Sequence, residues 1–539
     1  MGDPTWVADH DELGLYLPAA AQAYVHHPFR LADPVVSGGP TGYSWLQLGP
    51  GIVVARALGL GPARVGFVWR ILAGVSLGLA WFLLLRQYIR GPIVAAGVTL
   101  LLLGDVGLLY GKLLLRHVPI AAQLAWGNPG ELFSSFPQLH LGWRLISPGL
   151  SLPFLLAHLA LLARVRESPT RRRVVASGVA LGLLVHVYFY YWTAAGLAHL
   201  LLLALDRGRW RAYLRVAGIG VLVALPAVAA QLSMAATTSS DWMSRSDKFV
   251  AISHFEELIV PRVALFLAGG SFLWLWRTRR DLLPLWCHAA AGLALLNHQL
   301  VTGLQVENFH WGYVYGPCLS VVTALLAADG LTALARRPRR VAPRVASALL
   351  IALSVVHLGS AFWLRAVEAS RTAQSVAILE QFTRYRRQRA LRATPPAERG
   401  GVAGDRWFVD LAAVLDDQQP LAHYSAKLSP SVDDAALDRR VALNAVLLGQ
   451  TQASFEALQR AEGAIDNWGP MARDPTLRAA RLRHRLRAFV EAARDPTAAA
   501  AAAGVREVAL PVGALRPHYL VSSAWSRVQS GPSWQVWAR

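Results

Sequence analysis

Residues 164–215 read "RVRESPTRRRVVASGVALGLLVHVYFYYWTAAGLAHLLLLALDRGRWRAYLR". Arginines crowd both ends, and the 32 residues between them, 174–205, are mostly apolar. Short loops rich in Lys and Arg stay on the cytosolic side of a membrane. With both flanks on that side, the intervening segment crosses the bilayer twice. The aromatic run "YFYYW" (188–192) falls at its midpoint, where a belt of amphipathic rings at the far interface is expected.

The same alternation extends on both sides. Apolar runs occur at about 66–86, 93–112, 149–164, 174–190, 191–205, 214–233, 263–276, 282–298, 313–335 and 345–364. Several are shorter than the roughly 20 residues of a straight span. The loops joining them sort into two kinds. "RQYIR", "RVRESPTRRR", "RGRWRAYLR", "RTRR" and "RRPRRVAPR" are short and basic, hence cytosolic. Residues 1–64, 113–148, 234–262, 299–312 and the text after 365 are longer and richer in aromatics, His, Pro and acids. About ten spans, an even number, put both ends of the chain on the extracytoplasmic side.

Composition agrees. The 539-residue chain is 54% hydrophobic and 16% charged, with a mean hydropathy of +0.36, against about 25% charged residues in soluble domains. The formal charge of +20 would suit nucleic acid, but the arginines sit in loops between apolar runs, where they orient spans. No nucleic-acid partner is expected. Cys287 and Cys318 lie in apolar segments and read as small hydrophobes. The expectation is an all-α polytopic membrane domain over 1–365, with a first external loop at 1–64, followed by a soluble extracytoplasmic α/β domain over 366–539.

The opening loop begins "ADHDELGLYL" (8–17). As a helix start, Asp9 serves as N-cap with Glu12 at N3, and Asp11 suits the positive end of the dipole. Leu13, Leu17, Ala20, Ala21 and Tyr24 then recur at helical spacing, as in an interfacial helix. Such a helix N-terminus can also hold a catalytic carboxylate.

The order of elements after these acids resembles the first external loop and following span of GT-C membrane glycosyltransferases, whose members include protein O-mannosyltransferases, aminoarabinose transferases and oligosaccharyltransferases. The matching elements are Asp11–Glu12 with Tyr16, the turn Gly39–Tyr43, a helix around 44–60 ending in Leu-Gly, and the Arg70-bearing span. The likeness is one of pattern and order over roughly 8–365. Members of that fold begin with a cytosolic N-terminus and a span before the acidic loop, so a span preceding residue 1 is expected.

The resemblance implies an inner-membrane, multi-pass enzyme that moves a sugar from a polyprenyl-phosphate carrier to a glycan, lipid or protein acceptor outside, with inversion. It makes Asp11 the base that takes the acceptor's proton, with Glu12 or Asp9 orienting the acceptor or binding a metal. Paired carboxylates can hold Mg²⁺ or Mn²⁺ through oxygen, and members of the fold differ in needing one. The departing phosphate requires a cation at the outer interface, and Arg144, Arg262 and His310 have the position for it. Arg144 and Arg262 also fit as snorkelling span ends, and His310–Trp311 as an interface anchor. Asp105, inside "LLLLGDVGLLYG", is a second candidate acid, because an unpaired carboxylate at membrane depth costs roughly 2.5–3.5 kcal/mol on insertion scales. Lys112 lies about two helical turns further on.

In the tail, "RWFVDLAAVL", "VREVALPV" and "HYLVSSAW" alternate with helical text at 434–463 and 475–494, and "AAAAAAG" (498–504) is low in complexity. Other classes compete. A lipid-linked glycan flippase or transporter would keep ionisable groups at mid-membrane and show repeats. An O-antigen polymerase or ligase would carry its main loop between late spans. A non-catalytic relative would keep the fold alone.

Overall fold

Backbone polar groups in an apolar setting are satisfied within helices, and helices occupy the apolar runs. The computed structural model describes residues 16–33, 35–36, 39, 41–104, 149–237, 250–255, 258–306, 308–334, 352, 380–388, 401–416, 418–422, 429–461, 475–522 and 524–539. By contacts along the chain, 69–231 and 251–368 form one compact unit, and 1–68, 232–250 and 369–539 form another.

The opening loop supplies α1 (Leu17–Val25) and α2 (Trp45–Ala57). The long helices that follow are α3 (Val65–Leu85), α4 (Pro92–Gly104), α5 (Leu152–Glu167), α6 (Arg171–Val185), α7 (Phe189–Leu205), α8 (Trp210–Thr237), α9 (Arg262–Thr278), α10 (Leu283–Leu295) and α11 (Gly312–Leu334). The run at 345–364 lies outside the described residues apart from 352. Pro62–Leu85 (24 residues) and Arg207–Ala236 (30 residues) are each long and apolar enough to cross a bilayer, with hydropathy 1.9. Helix α6 ends at Val185 and α7 starts at Phe189, so "YFYYW" begins at the turn between two helices. Helix α6 meets α8 through Gly178 and Gly182. A Cβ on Gly178 would lie 2.6 Å from Ile219 Cβ, and one on Gly182 2.5 Å from the Gly220 carbonyl. Small residues four apart let two helices approach this closely in a membrane.

The helical unit has two chemically distinct ends. At one, the basic loops meet: Arg164 Nε donates to Gln87 Oε1 at 3.2 Å, and Arg166 Nε lies 3.0 Å from Asp206 Oδ2. There too, Arg209 Nε donates to the Arg166 carbonyl at 2.5 Å, and Arg279 pairs with Asp281 (2.9 Å) and Asp329. At the other end lie the aromatic and histidine-bearing ends of α7, α10 and α11.

In the second unit, helix α2 stops in a Schellman motif. Gly59, at φ 64°, donates to Arg56 O (3.1 Å) and Leu60 to Ala55 O (2.9 Å), which ends the helix at the Leu-Gly read from sequence. The C-terminal part contains α12 (Arg406–Leu415), α13 (Asp434–Leu447), α14 (Gln452–Arg460), α15 (Pro475–Arg494) and α16 (Pro496–Ala502). With β1 (Val250–Ala251) and β2 (Leu304–Gln305) forming a small pair elsewhere, its strands are β3 (Gly401–Gly404), β4 (Gln419–Pro420), β5 (Val505–Pro511), β6 (Ser526–Ser530) and β7 (Trp534–Ala538). They form a mixed sheet in the order β4-β3-β5-β7-β6. The first three are parallel, and β5, β7 and β6 are antiparallel, with Ala509 opposite Val536. Of the three apolar patches in the tail, only "VREVALPV" is a strand. "RWFVDLAAVL" is helix α12, because Asp405 caps it by accepting from Phe408 N at 2.9 Å. "HYLV" is a single 3₁₀ turn.

The opening loop's described residues pack into this C-terminal part. Helix α1 lies on α12. Val35 is fully buried with Val432 and Leu437. Asp33 Oδ1 accepts from Val35 N (2.7 Å) and Val36 N (3.3 Å), Ser429 donates to Asp33 Oδ2, and Gln419 donates to the Val35 carbonyl. Burial pushes the Asp33 carboxyl pKa up, against the hydrogen bonds of Ser429, Val35 and Val36 and the charge of Arg440.

Candidate active site

Asp9, Asp11, Glu12, Asp105 and Arg144 lie outside the described residues. Tyr16 precedes α1 with its ring 5.2 Å from that of Tyr43, so two members of the opening pattern are neighbours. Arg262 is the first residue of α9 and is exposed. Three residues before it, the Ile259 backbone is held at both polar groups by Asn297: Ile259 N donates to Oδ1 at 2.8 Å, and Nδ2 donates to the Ile259 carbonyl at 2.7 Å. That clamp ties the entry of α9 to the loop after α10.

His310 and Trp311 form a 3₁₀ turn (Asn308–Trp311) that leads into α11. Both are buried. His310 Nδ1 is hydrogen-bonded to Tyr188 Oη, at the start of α7. The Tyr190 ring lies 4.6 Å from the His310 ring, with Tyr313 at 5.8 Å. Trp311 Nε1 donates to Thr193 Oγ1 at 3.1 Å, its ring meeting Tyr190 at 5.0 Å and His298 at 4.8 Å. Ser151 Oγ donates to Tyr191 Oη at 3.4 Å, bringing in the start of α5. The starts of α5, α7 and α11 and the loop after α10 are thereby linked by hydrogen bonds and ring contacts, with His310 held by those of α7 and α11. An imidazole fixed through Nδ1 can present a proton or a positive charge to a phosphate oxygen, while the surrounding faces suit the apolar side of a sugar ring or a prenyl stem.

Sequence reading marked "YFYYW" as interface anchors and missed that Tyr188 and Tyr190 hold His310. A period-breaking aromatic cluster was the available signal. Its partner sits 122 residues away.

No family model and no curated protein matches the chain. The chain is similar to ArnT of Cupriavidus metallidurans. That crystal structure, with undecaprenyl phosphate bound, has a TM-score of 0.40 and 14% sequence identity over 99% of this chain and 94% of its own. The likeness carries no residue-by-residue correspondence, and the chemistry above stands on this chain's own geometry.

Proposed function

We propose that the chain is a multi-pass inner-membrane glycosyltransferase of the GT-C type, transferring a sugar from a polyprenyl-phosphate carrier to an extracytoplasmic acceptor. The observation that carries this reading is His310 held by Tyr188 among aromatic rings, at the end of the helical unit opposite the basic loops. A phosphate headgroup at a bilayer edge needs a hydrogen-bond donor or cation beside apolar surface. The order of elements in the opening loop supports it, and the ten apolar runs supply the spans.

In this reading the Asp11 carboxylate takes the acceptor's hydroxyl proton as the acceptor oxygen attacks the anomeric carbon. The bond from that carbon to the phosphate oxygen breaks on the opposite face, which inverts the centre, and polyprenyl phosphate departs with the electron pair. Glu12 or Asp9 orients the acceptor, or holds Mg²⁺ or Mn²⁺. Asp105 is a second acid, Arg144, Arg262 and His310 receive the phosphate, and Tyr16 and Trp311 line the approach.

The test uses membranes containing the full chain and a labelled polyprenyl-phosphate sugar. Transfer that is lost in Asp11→Asn and in His310→Phe is the expected result, and a chelator arm reads the metal requirement. Transfer undiminished in both variants would sink the assignment. One observation favours a transporter instead: three histidines meet inside the helical unit, and transporters keep ionisable groups at membrane depth. Labelled lipid crossing proteoliposomes without transfer would establish that reading.

A further inference from the structure

His158 on α5, His199 on α7 and His288 on α10 converge in the interior of the helical unit. All three are buried, at 0%, 3% and 0% exposure. Their rings lie 5.4 Å apart for 158–199, 5.6 Å for 158–288 and 6.3 Å for 199–288. One nitrogen from each lies within 4.8 Å of the other two. Counting back along the helices, they stand six, seven and seven residues from Arg164, Asp206 and Asp281. At 1.5 Å per residue, all three are about 10 Å in from the basic end. They share one level.

Hydrogen bonding sets the form of two of the rings. His199 Nδ1 lies 2.8 Å from the Ala195 carbonyl, and His288 Nδ1 lies 2.8 Å from the Pro284 carbonyl. A carbonyl only accepts, so Nδ1 carries the proton in each and Nε2 keeps its lone pair. Both Nε2 atoms are buried without a hydrogen-bond partner, and the His158 ring lies beside them with the Ser177 backbone as its one polar neighbour outside the cluster among the described residues. Two buried lone pairs and a third imidazole face one another with nothing to accept from. Metal-ligating histidines have this arrangement: the outer N–H donates to a carbonyl, which fixes the tautomer and turns the other nitrogen to the ion.

We propose that His158, His199 and His288 bind a late first-row metal ion, Zn²⁺ or Cu⁺, which cross-links α5, α7 and α10. Imidazole nitrogens suit these ions. Bonds of 2.0–2.1 Å in a tetrahedral set place the donors about 3.3 Å apart, a distance reached from 4.8 Å or less by small side-chain rotations. Three neutral ligands leave Cu⁺ with a single charge to bury. Zn²⁺ would add a fourth, anionic ligand. The role is structural, and it is independent of the transfer reaction proposed above.

The experiment uses the full chain purified in detergent through a tag without histidine. Elemental analysis follows equilibration with Zn²⁺, or with Cu⁺ under reductant, and removal of excess. Wild type is expected to retain about one ion per chain, and the triple variant His158→Leu, His199→Leu, His288→Leu none. The metal that is retained distinguishes the two ions. Wild type treated with Co²⁺ should show intense tetrahedral d–d bands that Zn²⁺ abolishes, a readout that needs no variant to fold. Equal retention by wild type and the triple variant, or no retention together with an absent or six-coordinate Co²⁺ spectrum, overturns the proposal.

Discussion

At Asp438, on α13, one buried carboxylate accepts from three side chains of α15. These are Arg481 at 2.6 and 2.8 Å, Arg485 at 2.7 Å and His484 at 2.9 Å. Arg485, fully buried, also donates to Gln459 at 2.5 Å, and its burial pulls the guanidinium pKa down against the Asp438 charge. The histidines of α5, α7 and α10 are as deeply buried, yet the Nε2 atoms of His199 and His288 have no partner. The first cluster is closed within itself, charge against charge. The second has lone pairs left over. Burial alone therefore does not separate a structural cluster from a ligand site, whereas the count of satisfied donors and acceptors does.

The largest effect should come from breaking the closed cluster. Asp438→Ala takes the hydrogen-bonded carboxylate from fully buried Arg485 and leaves Arg481 with Asp434 alone, and a buried pair broken from one side costs about 3–5 kcal/mol. Denaturant unfolding of the purified chain, followed through the tryptophans of the C-terminal part, measures it. A loss under 1 kcal/mol by the same scale would show that water reaches these arginines.

His310 is held at Nδ1 by Tyr188. Removing its ring nitrogens in His310→Phe should lower transfer about 100-fold, the size typical of one lost donor to a developing anion. Tyr188→Phe, which removes only this hydrogen bond, should cost about tenfold, within the range for an ordinary hydrogen bond. Equal losses from the two would place the function in the tyrosine. Initial rates at saturating donor check both.

In the open cluster the effect should be smaller. His288→Leu replaces an unpartnered buried nitrogen with an apolar group of similar size, so metal-free stability should change by less than about 1.5 kcal/mol. Thermal unfolding with and without added Zn²⁺ or Cu⁺ sharpens the contrast: only wild type should gain stability with metal.

The smallest effect concerns Asp33, which has partners yet is destabilised as an anion. Its folded-state pKa is raised above the usual 3.8 by burial. Its contribution to docking the opening loop is therefore full below that value and is lost as pH rises through the raised one. Asp33→Asn, neutral throughout, should gain on wild type as pH climbs across that window. Melting temperatures at a series of pH values read it, and parallel curves for the two proteins would refute it.

Helices were legible because their signals are local. An apolar run, a flanking arginine or a Leu-Gly stop acts within a turn or two, and Val65–Leu85 and the stop at Gly59 appear where such signals put them, whereas the break at 186–188 comes a few residues before the expected boundary at 190/191. "RWFVDLAAVL" was set apart from the helical text because a short apolar run suits a strand as well as a helix, and the Asp405 cap makes it a helix. Which side chains meet was not legible. His158, His199 and His288 each stand alone in an apolar run, and no local pattern fixes which face of a helix turns toward which neighbour. Tyr188 and His310 are likewise paired only by the packing of α7 against the turn before α11. Sequence carried composition, period and charge, which act between residues near in the chain. Tertiary packing brought together polar groups far apart in the chain, and the energy of a buried group depends on those neighbours.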